Sequence, residues 1–95
     1  MNKISYEQRE RTYLNAMITY GEHVQIMKAL EELAECQQAI CKAVMGGDFD
    51  HLAEEIADAT IMLEQLRIIF PINDKVCDYM DDKIKRLDDR LREGT

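Results

Sequence analysis

One proline, Pro71, and four glycines at positions 21, 46, 47 and 94 are the only strong helix breakers in this 95-residue chain. Glycine and proline punctuate regular structure more sharply than any other residues, so the chain is cut into four long uninterrupted segments. Within them the apolar residues recur every three or four positions, which is the period of an amphipathic helix. There is no strand-like alternation, internal repeat or low-complexity stretch.

The first helix is expected from about Tyr6 to Tyr20, where Ser5 and Gln8 have capping-box spacing and Tyr6, Tyr13, Ala16, Met17 and Tyr20 share a stripe before Gly21. The second is expected from about Glu22 to Met45. Its core stripe is Ile26, Met27, Leu30, Leu33, Ala34, Gln37, Ile40, Cys41 and Val44, with Lys28, Glu32, Glu35 and Ala39 on the other side. Gly46 and Gly47 end it, and Asp48 or Asp50 can cap the next. The third helix, about His51 to Phe70, places Leu52, Ile56, Ala59, Leu63, Leu66 and Phe70 inward, and Ile61, Ile68 and Ile69 give it more apolar surface than one buried side needs. The fourth follows Pro71 with Asn73 as its cap and reaches about Arg92, with Val76, Met80, Ile84, Leu87 and Leu91 inward. The expected fold class is all-α: one domain over residues 1–95, a small bundle of about four helices completed by homo-oligomerisation, as a homodimer or homotetramer.

The formal charge of -7 disfavours a nucleic-acid polymer or an anionic membrane as partner. Cys36, Cys41 and Cys77 form neither a disulfide framework nor a zinc pattern, and the N-terminus has no long apolar run, so a cytoplasmic protein with reduced thiols is expected.

The chemistry resides in two acidic pairs, Glu32 with Glu35 and Glu55 with Asp58. Spacing of three residues puts both carboxylates of a pair on one side of a helix. A single such pair is ordinary helical surface. Here Glu31-Glu32-Leu33-Ala34-Glu35 and Glu54-Glu55-Ile56-Ala57-Asp58 lie on helices that a short glycine turn makes antiparallel. By helix rise, Glu35 precedes the turn by about 16 Å and the second pair follows it by about 12 to 16 Å, so the pairs face each other at similar heights. Four hard oxygen donors of that kind suit Mg²⁺, with Mn²⁺ as the alternative, and the absence of an E-x-x-H argues against a di-iron site.

Glu31-Glu32-x-x-Glu35, a nineteen-residue spacer and Glu55-x-x-Asp58 resemble the E-E-x-x-E and E-x-x-D signature of the MazG-like, all-α nucleoside triphosphate pyrophosphohydrolases. Tyr20-Gly21-x-x-x-Gln25, Lys83-Ile84-x-Arg86 and Arg90 are similar to further family positions, so the likeness covers about residues 13 to 92; Asp81 departs from it, standing where an asparagine is often found. The resemblance implies cleavage of a (d)NTP between its α and β phosphates, giving a monophosphate and pyrophosphate. It implies Glu32, Glu35, Glu55 and Asp58 as metal ligands. Glu31 can orient a ligand or assist the attacking water, and Lys28, Lys83 and Arg86 can meet phosphates. Tyr20 and Gln25 fall where the nucleotide is expected, and Tyr13 and His23 stand near the same turn. The alternatives are a phosphoribosyl-ATP pyrophosphohydrolase and a non-catalytic helical dimerisation or adaptor module whose acids are simply solvated.

Overall fold

The computed structural model describes residues 3–94. Four helices follow one another: α1 (Tyr6–Tyr20), α2 (Glu22–Val44), α3 (Phe49–Ile69) and α4 (Asn73–Arg92). No strand occurs among the described residues, and the chain is a small all-α bundle. None of the helices is long and apolar enough to cross a membrane.

Local chemistry sets the boundaries. Ser5 Oγ accepts from the Gln8 backbone N–H at 3.1 Å while Gln8 Oε1 accepts from the Ser5 N–H at 3.1 Å, the reciprocal pair of a capping box. At the far end of α2, Gly46 N–H donates to Ala43 O at 3.1 Å and Gly47 N–H to Lys42 O at 2.8 Å. Those two bonds form a Schellman turn around Gly46, whose φ of 93° is the left-handed conformation this C-terminal motif requires. Asp48 then caps α3, its Oδ1 accepting from Asp50 N–H at 2.9 Å and His51 N–H at 3.3 Å. Asn73 does not cap α4. It is the first residue of that helix, after Ile72, and its Oδ1 accepts from Arg67 Nε at 2.9 Å.

The short turn folds α3 back along α2, and this hairpin is the main tertiary contact of the chain; α1 lies on α2, and α4 meets the end of α3. The line that α2 buries is not the expected one. Gln25, Ala29, Glu32, Ala39 and Ala43 face inward, opposite Glu55, Ala59, Met62 and Gln65 of α3. Met27, Leu30, Ile40 and Val44 stay exposed. Helices joined by so tight a turn approach most closely where their side chains are small. The alanines therefore form the seam, and the acids flanking them are drawn in with it.

Other expected core residues behave likewise. Ile56, Leu63 and Phe70 of α3 and Met80, Ile84, Leu87 and Leu91 of α4 are exposed, as are Tyr6 and Tyr20. Of the three residues expected to be surplus on α3, Ile61 is exposed while Ile68 and Ile69 are half-buried. The buried apolar set is Tyr13, four alanines and Met62.

Candidate metal centre

The seam carries the acids into register across the hairpin. One carboxylate oxygen from each of Glu32, Glu35 and Glu55 lies within 4.8 Å of the others, and Glu54, Glu55 and Asp58 form a second such group. Glu55 belongs to both. Glu32 and Glu55 are each 9 % exposed, whereas Glu35 and Glu54 are exposed and Asp58 is half-buried. Two buried carboxylates are thus clustered with two exposed ones and a half-buried one, all of them oxygen donors.

Two of those oxygens are orphans. Glu32 Oε2 and Glu55 Oε2 are buried and have no hydrogen-bond partner. Leaving such a group unsatisfied costs about 1–3 kcal/mol, more when it is charged, so a folded chain that keeps one on each of two clustered carboxylates needs something to offset the cost. Among the described residues the cations paired with these two acids are peripheral. Lys28 Nζ stands 3.6 Å from Glu32 Oε1, and His51 Nε2 4.0 Å from Glu55 Oε1; both leave the Oε2 atoms untouched. Repulsion from Glu32 is the main cause that holds the Glu35 carboxyl above its ordinary pKa, followed by lost hydration and the charges of Glu55 and Glu31, with Lys28 opposing. A divalent cation fits this donor set: it is hard, all-oxygen and strongly negative.

The remaining nominated residues are distributed as follows. Glu31 is exposed and close enough to Glu35 to act on its charge. Lys28 is beside the site through Glu32. Gln25 lies in the interior instead of at an open face: it is 4 % exposed, and its Nε2 donates to Gln65 Oε1 at 2.8 Å. Tyr20 presents its ring to solvent at the end of α1, and His23 is exposed nearby. Lys83 and Arg86 line a hollow on α4 with Asp89 and Arg90, and among the described residues neither forms an ion pair with any of the site acids.

Two neighbours of the site are absent from the sequence-based set. Glu54 is a donor whose position inside the second acidic run was visible but which the E-x-x-D spacing passes over. His51 reaches Glu55 through i, i+4 spacing, a signal that was available. A separate cleft of about 700 Å³ between α1, the end of α3 and the start of α4 contains none of the acids; Tyr13, Glu64, Arg67 and Cys77 are among its walls. Compared with family models, curated proteins and solved structures, the chain matches none.

Proposed function

We propose that the chain is a Mg²⁺-dependent nucleotide pyrophosphohydrolase, cleaving a (d)NTP to a (d)NMP and pyrophosphate, active as a homodimer or homotetramer. The observation that carries this reading is that Glu32 and Glu55, on two helices, bring a carboxylate oxygen each within 4.8 Å of one another, and that each also has a buried oxygen without a hydrogen-bond partner. A solvated adaptor surface gives no reason to bury them. The E-E-x-x-E and E-x-x-D resemblance supplies the reaction class.

In this reading Glu32, Glu35, Glu55 and Asp58 hold the cation, with Mn²⁺ able to replace Mg²⁺. The bound ion would neutralise phosphate charge and lower the pKa of a ligated water. The protein's own work is positional. The Ala29, Ala39, Ala43 and Ala59 seam fixes the two buried carboxylates, so little reorganisation is needed when charge develops. Lys28 pairs with one oxygen of Glu32 and leaves the other, buried and without a hydrogen-bond partner, available to a cation. Glu31, exposed and near enough for its charge to act on Glu35, would orient a ligand or accept a proton from the attacking water. Tyr20 offers an exposed ring on which a base can stack for about 1–3 kcal/mol.

The test is pyrophosphate release from a panel of canonical and modified NTPs and dNTPs, with and without Mg²⁺. Release is expected with Mg²⁺, loss on chelation, and loss in Glu32→Gln and Asp58→Asn with unchanged helical content by circular dichroism. Near wild-type turnover in those variants would refute the ligand assignment. No release from any nucleotide, together with no thermal stabilisation by Mg²⁺ plus a non-hydrolysable nucleotide, would favour the adaptor.

A further inference from the structure

The α2–α3 hairpin has two sides, and the acids occupy one. Going round α2 at about 100° per residue from the buried line through Gln25, Glu32 and Ala39, Leu30, Ile40 and Val44 lie about 80–160° away in one sense. Lys28 and Glu35 lie about 40–60° away in the other. On α3, measured from Glu55, Ile56, Leu63 and Phe70 lie about 60–100° away in one sense and Asp58 about 60° in the other. Because the helices are antiparallel, these rotations bring Leu30, Ile40 and Val44 to the same side as Ile56, Leu63 and Phe70. The acids emerge on the opposite side. All six of those apolar residues are at least 46 % exposed.

We infer that this apolar back face is where a second copy of the chain docks, and that folding and association are one step. The area argues for it. The chain exposes 7823 Å², whereas a compact monomer of 11.1 kDa exposes about 5,700 Å². The excess, about 2,000 Å² per copy, falls in the range of an obligate homodimer. The radius of gyration is 16.3 Å against about 12 Å for a compact domain of this length. Among the described residues no large side chain is fully buried, so one copy alone has little core to fold around.

Charge selects the occupant. The outward stripe of α2 from Leu30 through Leu33, Gln37, Ile40 and Val44 carries no ionised group, and a two-fold dimer formed through it sets the two acid clusters on opposite outer faces. An anionic lipid surface would instead meet a chain of charge -7. The dimer gives a surface to the oligomer of the proposed function but does not depend on its chemistry.

Sedimentation velocity and thermal unfolding over a hundredfold range of protein concentration test it. The expected result is a mass of two chains or an even multiple, and a Tm that rises with concentration. Leu30→Ser and Leu63→Ser should each weaken association at least tenfold; since both side chains are half exposed, neither removes a buried contact within one copy. Glu55→Gln, on the opposite side, should leave association intact. A single-chain mass with concentration-independent, cooperative unfolding would overturn the inference, as would an oligomer indifferent to both Ser variants. Mass, not turnover, is the readout, so a failure here is distinguishable from a failure of the metal site.

Discussion

At the residue scale, Tyr13 of α1 is paired with Glu64 of α3, away from the site acids. The Tyr13 phenol donates to Glu64 Oε1, and Arg9 Nη1 stands 3.5 Å from the other oxygen. Burial first, then the bond to Glu64 and its charge, push the Tyr13 pKa up to about 12, with Arg9 opposing. The folded state thus holds the neutral phenol more firmly than the unfolded chain, where the value is about 10. The stability this arrangement contributes is fully present below about pH 10 and disappears as the pH rises toward about 12. A tyrosinate absorbance titration should show a step near pH 12 that Tyr13→Phe removes, and loss of α1 packing should accompany it. A Tyr13 step centred near 10 would show that Glu64 does not hold the phenol. Nothing in the sequence announces a pair 51 residues apart, whereas the acids were legible because each pair sits within one helical turn. Gln25 shows the converse: its place before the acidic motif suggested an open site, but its fate was decided by Gln65, forty residues away.

At the scale of elements, the ends were readable and the faces were not. Caps and glycine turns are governed by chemistry within four residues, so Ser5, Gln8, Gly21, Gly46 and Asp48 specified three helices nearly to the residue. Asn73 failed as a cap because Arg67 takes its side-chain oxygen. Faces depend on what lies opposite. On hydrophobicity alone the Leu30 stripe of α2 outranks an alanine line interrupted by Glu32, yet the tight turn favours the small residues. That turn is testable. A Cβ on Gly47 would stand 2.6 Å from Lys42 O and 2.9 Å from Lys42 C, both backbone atoms that cannot yield without opening the turn. Gly47→Ala should destabilise by about 1–3 kcal/mol. Asp48→Ala should cost about 1 kcal/mol for the lost cap, and Asp50→Ala much less, since Asp50 supplies only a backbone N–H there. Denaturant unfolding at fixed protein concentration measures all three. Equal losses at Asp48 and Asp50 would show that the cap has no preference between them.

For the whole molecule, the sign of the salt dependence distinguishes an apolar assembly from an ionic one. Each copy carries -7, so two copies repel wherever they meet, and a charge-free back face can only be opposed by that repulsion. The shortest dimension is 31 Å. At that separation, point charges of this size repel by about 2 kcal/mol at about 0.01 M salt, where the screening length is about 30 Å, and negligibly at about 0.15 M, where it is about 8 Å. Adding NaCl between those limits should therefore tighten association more than tenfold. An interface held by ion pairs would loosen over the same range, so weaker association at higher salt would count against the apolar face. Divalent cations enter the same balance. If the proposed site of Glu32, Glu35, Glu55 and Asp58 holds a divalent ion, each ion removes two negative charges per copy, so Mg²⁺ or Mn²⁺ should strengthen association at low salt and have little effect on it at high salt. By linkage, dilution that separates the copies must then change their affinity for the cation to the same degree. Glu55→Gln, which removes a proposed ligand but no back-face contact, should weaken the cation's effect on association while keeping the NaCl effect, and so separate the two sides of the hairpin.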